Sequence, residues 1–84
     1  MINYKKITNI EELVNSLESS EDGYVNSHLV LKGGLRSSKH ISYDGEYFYI
    51  LNLIDDTEDK FNLEELKNSF INEAIKKRSF YIEE

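Results

Sequence analysis

His28 and His40 are the only histidines, and they are the side chains best suited to acid–base or metal chemistry at neutral pH. A two-residue hairpin at Gly33-Gly34 would place them on opposite faces of a sheet, because side chains alternate along a strand. They would then not share a metal ion. There is no cysteine, and no serine lies in the pattern that marks a hydrolase nucleophile. We therefore predict no catalytic residue, no metal site, no cofactor and no enzymatic activity.

A run of acids, Asp55, Asp56, Glu58 and Asp59, looks superficially like the start of a calcium-binding loop. Lys60 stands where such a loop needs glycine, and Leu66 stands where it needs a bidentate acid. We interpret the four carboxylates as an acidic surface. Mimicry of DNA phosphates, with Glu64 and Glu65 added, is a minor hypothesis.

The formal net charge of the 84 residues is −6, which argues against bulk attraction to nucleic acid or to anionic lipid. The charge is unevenly distributed. No acid occurs from Gly23 to Tyr43, whereas the segment from Asp44 to Glu65 contains eight acids and one base. Such an asymmetry can orient a partner during association.

The order of helix, strand and turn signals along the chain predicts an α+β fold over a single domain, residues 1–84. Thr8 begins a capping box for an N-terminal helix with an apolar stripe at helical spacing. Three strand-like runs follow, 24–32, 35–43 and 46–54, and two-residue turns at Gly33-Gly34 and Asp44-Gly45 would join them into a three-stranded antiparallel meander.

The C-terminal third predicts one or two helices and a short final strand. Asn62 is suited to cap a helix, and the pattern weakens near Asn68-Ser69, after which Asn72 is a candidate second cap. Ser79 to Ile82 has strand character and is expected at the sheet edge.

Two-residue turns would fix the register, placing Val30 opposite Ser37 and Ile41 opposite Phe48. Neither face of that sheet is cleanly polar. Two interpretations follow: helices or a bulge share the covering of both faces, or one face stays partly open as a protein-binding surface.

The second interpretation gives the candidate partner-binding residues. They are Lys32, Arg36, Lys39, His40, Tyr47 and Tyr49. The first hypothesis is therefore a non-enzymatic protein-binding module. The alternatives are a homodimer that buries the same face, and a small nucleic-acid-binding module that uses Lys32, Arg36 and Lys39 on the central strand.

The absence of cysteine favours a reducing, cytoplasmic setting, because small secreted domains are often held together by disulfides. The N-terminus does not read as a signal peptide. The longest mostly apolar stretch, Tyr47 to Ile54, is far shorter than the roughly 20 residues of a membrane-spanning helix. No membrane partner is expected.

The run from Leu35 to Gly45, Leu-Arg-Ser-Ser-Lys-His-Ile-Ser-Tyr-Asp-Gly, followed by Asn52 to Glu58, resembles short proteins carried by phages and mobile elements of low-GC bacteria. In size and acidity such proteins are similar to anti-CRISPR and other anti-defence inhibitors, which act by binding a host complex. The resemblance implies an inhibitor that binds a host defence complex, and it carries over no active site.

Overall fold

The elements form one six-stranded antiparallel sheet and three helices. The computed structural model describes residues 3–30 and 32–83, and for Lys32 the backbone alone. In chain order the elements are β1 (Tyr4–Lys6), α1 (Ile10–Ser19), β2 (Tyr24–Val30), a 3-10 turn (Lys32–Gly34), β3 (Arg36–Tyr43), β4 (Phe48–Asn52), β5 (Glu58–Phe61), α2 (Leu63–Lys67), α3 (Phe70–Lys76) and β6 (Phe80–Glu83). The α+β class is confirmed, but the sheet is twice as wide as the predicted meander.

The strand order in the sheet is β1-β6-β2-β3-β4-β5, with every neighbouring pair antiparallel. The last strand, β6, lies inside the sheet between β1 and β2. The prediction that it lies at the edge is wrong, because the sequence pattern gave no sign of β1. The chain from β5 to β6 crosses the sheet through α2 and α3, and α1 links β1 to β2.

All three helices cover the same face of the sheet. The apolar stripe of α1 and the buried side chains of α2 and α3 join the buried strand residues in one core. The core residues are Ile7, Ile10, Leu13, Leu17, Leu29, Ile41, Phe48, Ile50, Leu66, Ile71, Ala74, Ile75, Phe80 and Ile82. No buried side-chain nitrogen or oxygen lacks a hydrogen-bond partner among the described residues.

Local caps set the ends of the helices. The side chain of Asn9, not Thr8, caps α1 by accepting a hydrogen bond from the backbone N–H of Glu12 at 3.0 Å. Asn62 caps α2 through a reciprocal capping box with Glu65, which confirms the predicted cap. The predicted break between α2 and α3 is present, but Ser69 caps α3, so the prediction of Asn72 is wrong.

The connection from β2 to β3 is five residues long, not two. Val30 pairs with Arg36, whereas a Gly33-Gly34 hairpin would pair it with Ser37. Gly33 and Gly34 adopt positive φ angles of +85° and +83°, as the sequence predicted. They belong to the 3-10 turn, however, and Leu35 separates this turn from β3. A shift by one residue reverses the face of every β2 side chain relative to β3. His28 and His40 therefore share a face, contrary to the prediction.

The connection from β3 to β4 spans Asp44 to Tyr47, so Tyr43 pairs with Phe48 instead of Glu46. The pairing of β4 with β3 is thus shifted by two residues from the predicted register. Because side chains alternate with a period of two, every β4 side chain keeps its predicted face. Asp44 accepts hydrogen bonds from the backbone N–H groups of Glu46 and Tyr47 and closes the longer loop. The acidic segment after β4 also contains a strand, β5, because Glu58 pairs with Leu51.

Candidate functional site

The sheet face opposite the helices, called the open face below, is the principal candidate site. Alternation along the paired strands assigns its members. They are Tyr4 and Lys6 from β1; Tyr81 and Glu83 from β6; Tyr24, Asn26, His28 and Val30 from β2; Arg36, Ser38, His40 and Ser42 from β3; Tyr49 and Leu51 from β4; and Glu58 and Lys60 from β5.

None of these open-face side chains is buried, whereas most of the alternate positions of β2, β3, β4 and β6 are buried against the helices. The open face is rich in aromatic and hydrogen-bonding groups and has only two aliphatic members, Val30 and Leu51. Its three cations outnumber its two carboxylates, so it has a small positive charge on a chain whose net charge is −6. The acids of the chain are therefore concentrated elsewhere.

A pocket of about 290 Å³ lies on the open face where β1, β6, β2 and β3 meet. Tyr4, His28, Val30, Arg36 and Tyr81 line it. The Arg36 guanidinium lies 5.4 Å from the centre of the Tyr4 ring, a cation–π distance. The Tyr4 ring meets the His28 ring edge to face, with centres 5.3 Å apart. The pocket thus combines aromatic walls with an exposed cation.

His28 is held by two hydrogen bonds. Its Nε2 lies 2.9 Å from Glu83 Oε1, and its Nδ1 lies 3.1 Å from Ser38 Oγ. The carboxylate accepts, so Nε2 carries a proton and the serine hydroxyl donates to Nδ1 when the ring is neutral. A serine, a histidine and an acid are the side chains of a hydrolytic triad.

Acyl transfer would also need donors aimed at a developing oxyanion above the serine. Ser38 pairs with His28 of β2, and its carbonyl accepts a hydrogen bond from the Leu53 N–H, so the adjacent backbone N–H groups lie in the plane of the sheet. This geometry orients the ring of His28 at the pocket wall. The described backbone N–H groups next to Ser38 are not directed at an oxyanion above its hydroxyl.

A second aromatic group lies across the β2, β3 and β4 region of the open face. The Tyr24 and His40 rings lie 4.4 Å apart at 31°, and His40 Nδ1 lies 3.1 Å from Asn26 Oδ1. Tyr49 lies beside Ser42 on the neighbouring strand. Tyrosine is among the residues enriched at protein interfaces, because it combines a large apolar ring with a hydrogen-bonding tip.

The β3–β4 loop borders this group. The Tyr49 hydroxyl donates a hydrogen bond to Asp44 at 3.0 Å, and this bond raises the pKa of the Tyr49 phenol. The backbone N–H of Tyr47, with that of Glu46, lowers the pKa of the Asp44 carboxyl. Lys60 Nζ lies 4.1 Å from the centre of the Tyr47 ring. The loop is therefore tied to the open face at both ends.

The structure brings some of the predicted partner-binding residues together and separates others. Arg36, His40 and Tyr49 lie on the open face, and Tyr47 lies in the loop beside it. Lys39 points to the helix side, where it is buried to 8 % exposure with Nζ 5.8 Å from the centre of the Phe70 ring.

Lys32 follows β2 in the 3-10 turn, and its side chain lies outside the described part of the chain. The nucleic-acid hypothesis relied on Lys32, Arg36 and Lys39 together. With Lys39 on the helix side, the described structure does not place those three cations on one surface.

Several open-face residues were not predicted from the sequence. Tyr4 and Tyr81 lie on the adjacent strands β1 and β6, and β1 was not predicted. The predicted register of β2 differed from the actual one by one residue, so it placed Tyr24 and His28 on the wrong face. The sequence of β2 and β3 carries no clean apolar–polar alternation that would have placed His28, because Ser27, Ser37 and Lys39 are buried on the helix side.

The four acids of the predicted acidic surface, Asp55, Asp56, Glu58 and Asp59, are all exposed. Asp55 accepts hydrogen bonds from the side chain and backbone of Thr57, which lower the pKa of its carboxyl. Among residues 3–30 and 32–83, no cluster of three or more histidine or carboxylate groups could hold a metal ion. These acids therefore present separate exposed charges.

A larger cavity, of about 430 Å³, lies at the C-terminal end of α1 beside β2 and β6. Its lining mixes Lys5 with Asp22 and Glu83, so it favours no single ligand charge. Within the described chain, no helix is both long enough and apolar enough to cross a membrane.

Comparison of the chain with protein-family models, with curated proteins and with solved structures found no match.

Proposed function

We propose that this chain is a non-enzymatic protein-binding module and that the open face binds the partner. The observation that carries the proposal is the contrast between the two sides of the sheet. All three helices cover one side, while the other presents tyrosines, Arg36 and two histidines with none of them buried. Tyrosine and arginine are the residue types that most often dominate binding energy at protein interfaces.

A protein partner is a better match to the open face than a nucleic acid. Nucleic-acid affinity depends on several lysine or arginine contacts to phosphate, and here three cations are offset by Glu58 and Glu83. Nucleic-acid bases also stack on aromatic rings, but Lys60 Nζ already lies over the ring of Tyr47 in the adjoining loop. The resemblance noted in the sequence further suggests a partner class, and we propose a complex of host defence against phages.

Capture experiments with immobilised protein test the surface. Arg36→Glu alters an exposed open-face position and Tyr49→Ala a half-buried one, and each is expected to weaken capture of the partner about tenfold or more. Lys76→Glu and Phe70→Ala are matched controls on exposed positions of α3, on the helix side. Circular dichroism checks that all four variants fold.

Two outcomes would contradict the proposal. One is capture that is unchanged by both open-face variants and is lost in the α3 variants, which would move the interface to the helix side. The other is a dimer of the wild-type chain in sedimentation at micromolar concentration that Arg36→Glu dissociates. That result would show that the open face binds a second copy.

A further inference from the structure

The 290 Å³ pocket on the open face differs from the rest of that face in its electrostatics. Its lining contains one permanent cation, Arg36, and no carboxylate. Glu83 lies nearby on the same face, but its carboxylate is hydrogen-bonded to His28 Nε2 at 2.9 Å. Arg36 makes no ion pair with any described residue. The guanidinium is therefore available to an anionic group that enters the pocket.

The shape and lining of the pocket limit what that group is attached to. Tyr4 and Tyr81 form aromatic walls, and Val30 adds an apolar contact. A volume of about 290 Å³ is at the low end for ligand sites, and it fits one side chain better than an extended ligand. Arginine presents a planar fork of donors that matches a carboxylate with two parallel hydrogen bonds.

We infer that this pocket receives a carboxylate of the protein partner, carried on a side chain or at a chain end next to an apolar or aromatic group. The carboxylate pairs with Arg36, and the apolar group rests between Tyr4, Tyr81 and Val30. The inference rests on the proposed protein-binding function and specifies one contact within it. Charge complementarity assigns the occupant: a permanent cation and no acid in the lining favour an anion.

A small-molecule titration followed by nuclear magnetic resonance tests the pocket without the partner. Phenylacetate joins a carboxylate to an aromatic ring, and phenylacetamide is its neutral match. In the ¹⁵N-labelled chain at low salt, phenylacetate is expected to shift the amide signals of Val30, Arg36 and Tyr81 with a saturable, millimolar affinity. The amide should bind several times more weakly.

Variants separate the ion pair from general contact. Arg36→Gln keeps a polar side chain at an exposed position and is expected to weaken phenylacetate binding by up to about fivefold, the upper end for an exposed ion pair. Lys76→Gln removes a cation from α3 and should leave the affinity unchanged. Equal binding of acid and amide, or no effect of Arg36→Gln, would overturn the inference. Tighter binding of adenosine monophosphate than of phenylacetate would also overturn it, in favour of a nucleotide.

The titration and the capture experiments can refute the pocket inference and the proposed function separately. A pocket that binds no carboxylate, together with capture that depends on Tyr49, removes this inference and keeps the protein-binding function. A pocket that binds phenylacetate, together with capture that ignores every open-face variant, removes the proposed function and leaves an anion site.

Discussion

Truncation of Leu29 and of its neighbour Val30 tests which face of β2 packs against the helices. Leu29 is 8 % exposed and belongs to the core, whereas Val30 is half-buried on the open face. A two-residue hairpin at Gly33-Gly34 would reverse these roles, because it shifts β2 by one residue. The pair therefore reports on the register that brings His28 to the open face.

The magnitudes differ enough to measure. Leu29→Ala removes three carbon atoms from the core, about 2.4 kcal/mol of transfer free energy, and the cavity raises the cost to about 3–4 kcal/mol. Val30→Ala removes two carbon atoms from a half-exposed site, which costs about 1 kcal/mol or less. A domain of this length has a total free energy of unfolding of about 4–13 kcal/mol, so Leu29→Ala removes a large fraction of it.

Urea unfolding followed by circular dichroism gives both free energies of unfolding from the midpoints and the slopes. Leu53→Ala is the matched control, because Leu53 is 49 % exposed and the same truncation there should cost under about 1 kcal/mol. If Val30→Ala destabilises the protein as much as Leu29→Ala, or more, the register described above is wrong and the composition of the open face changes with it.

Three further predictions concern the loops and caps. Asn62→Ala should lower the free energy of unfolding by about 0.5–2 kcal/mol, and Asn62→Ser, which keeps a capping oxygen, should recover most of it in urea titrations. Gly33→Ala should cost about 1 kcal/mol in the same assay, because φ is +85° and no neighbouring atom offers compensating contact. Because hydrogen bonds lower the folded pKa of Asp44, its contribution to stability is present above its unfolded pKa of about 4 and is lost as pH falls through the folded value. Asp44→Asn, compared with Asp22→Asn in an exposed turn, should flatten the fall in unfolding midpoint below pH 4, and an unchanged slope would contradict this cause.

Strong local signals predicted the central elements of the fold. Apolar residues at helical spacing marked α1, and Asn62 marked α2, because a cap and its helix lie within one turn of each other. The class, the break between α2 and α3, and the strand character of β6 were predicted for the same reason.

What the sequence did not predict depends on pairing between distant strands. β1 is only three residues long and its positions are all exposed, so it has no alternation to detect. β5 is mostly exposed and acidic, and it exists because it pairs with β4. The position of β6 inside the sheet required knowledge of β1.

The candidate site depended on loop lengths. At Asp44 the actual loop was longer than predicted by two residues, so Tyr49 kept its predicted face. At Gly33 the register moved by one residue, so His28 changed faces. Two adjacent glycines allow a tight hairpin, but they equally allow the 3-10 turn that is present.

The most direct test of the proposed binding surface is oxidative footprinting of the chain, free and bound to its captured partner, read by mass spectrometry. Tyr4 and Tyr24 on the open face are 42 % and 38 % exposed, and Leu63 and Phe70 on the helix side are closely matched at 43 % and 39 %. If the open face binds the partner, binding protects Tyr4 and Tyr24 and leaves Leu63 and Phe70 as reactive as before. Protection of Leu63 and Phe70 with unchanged tyrosines would contradict it.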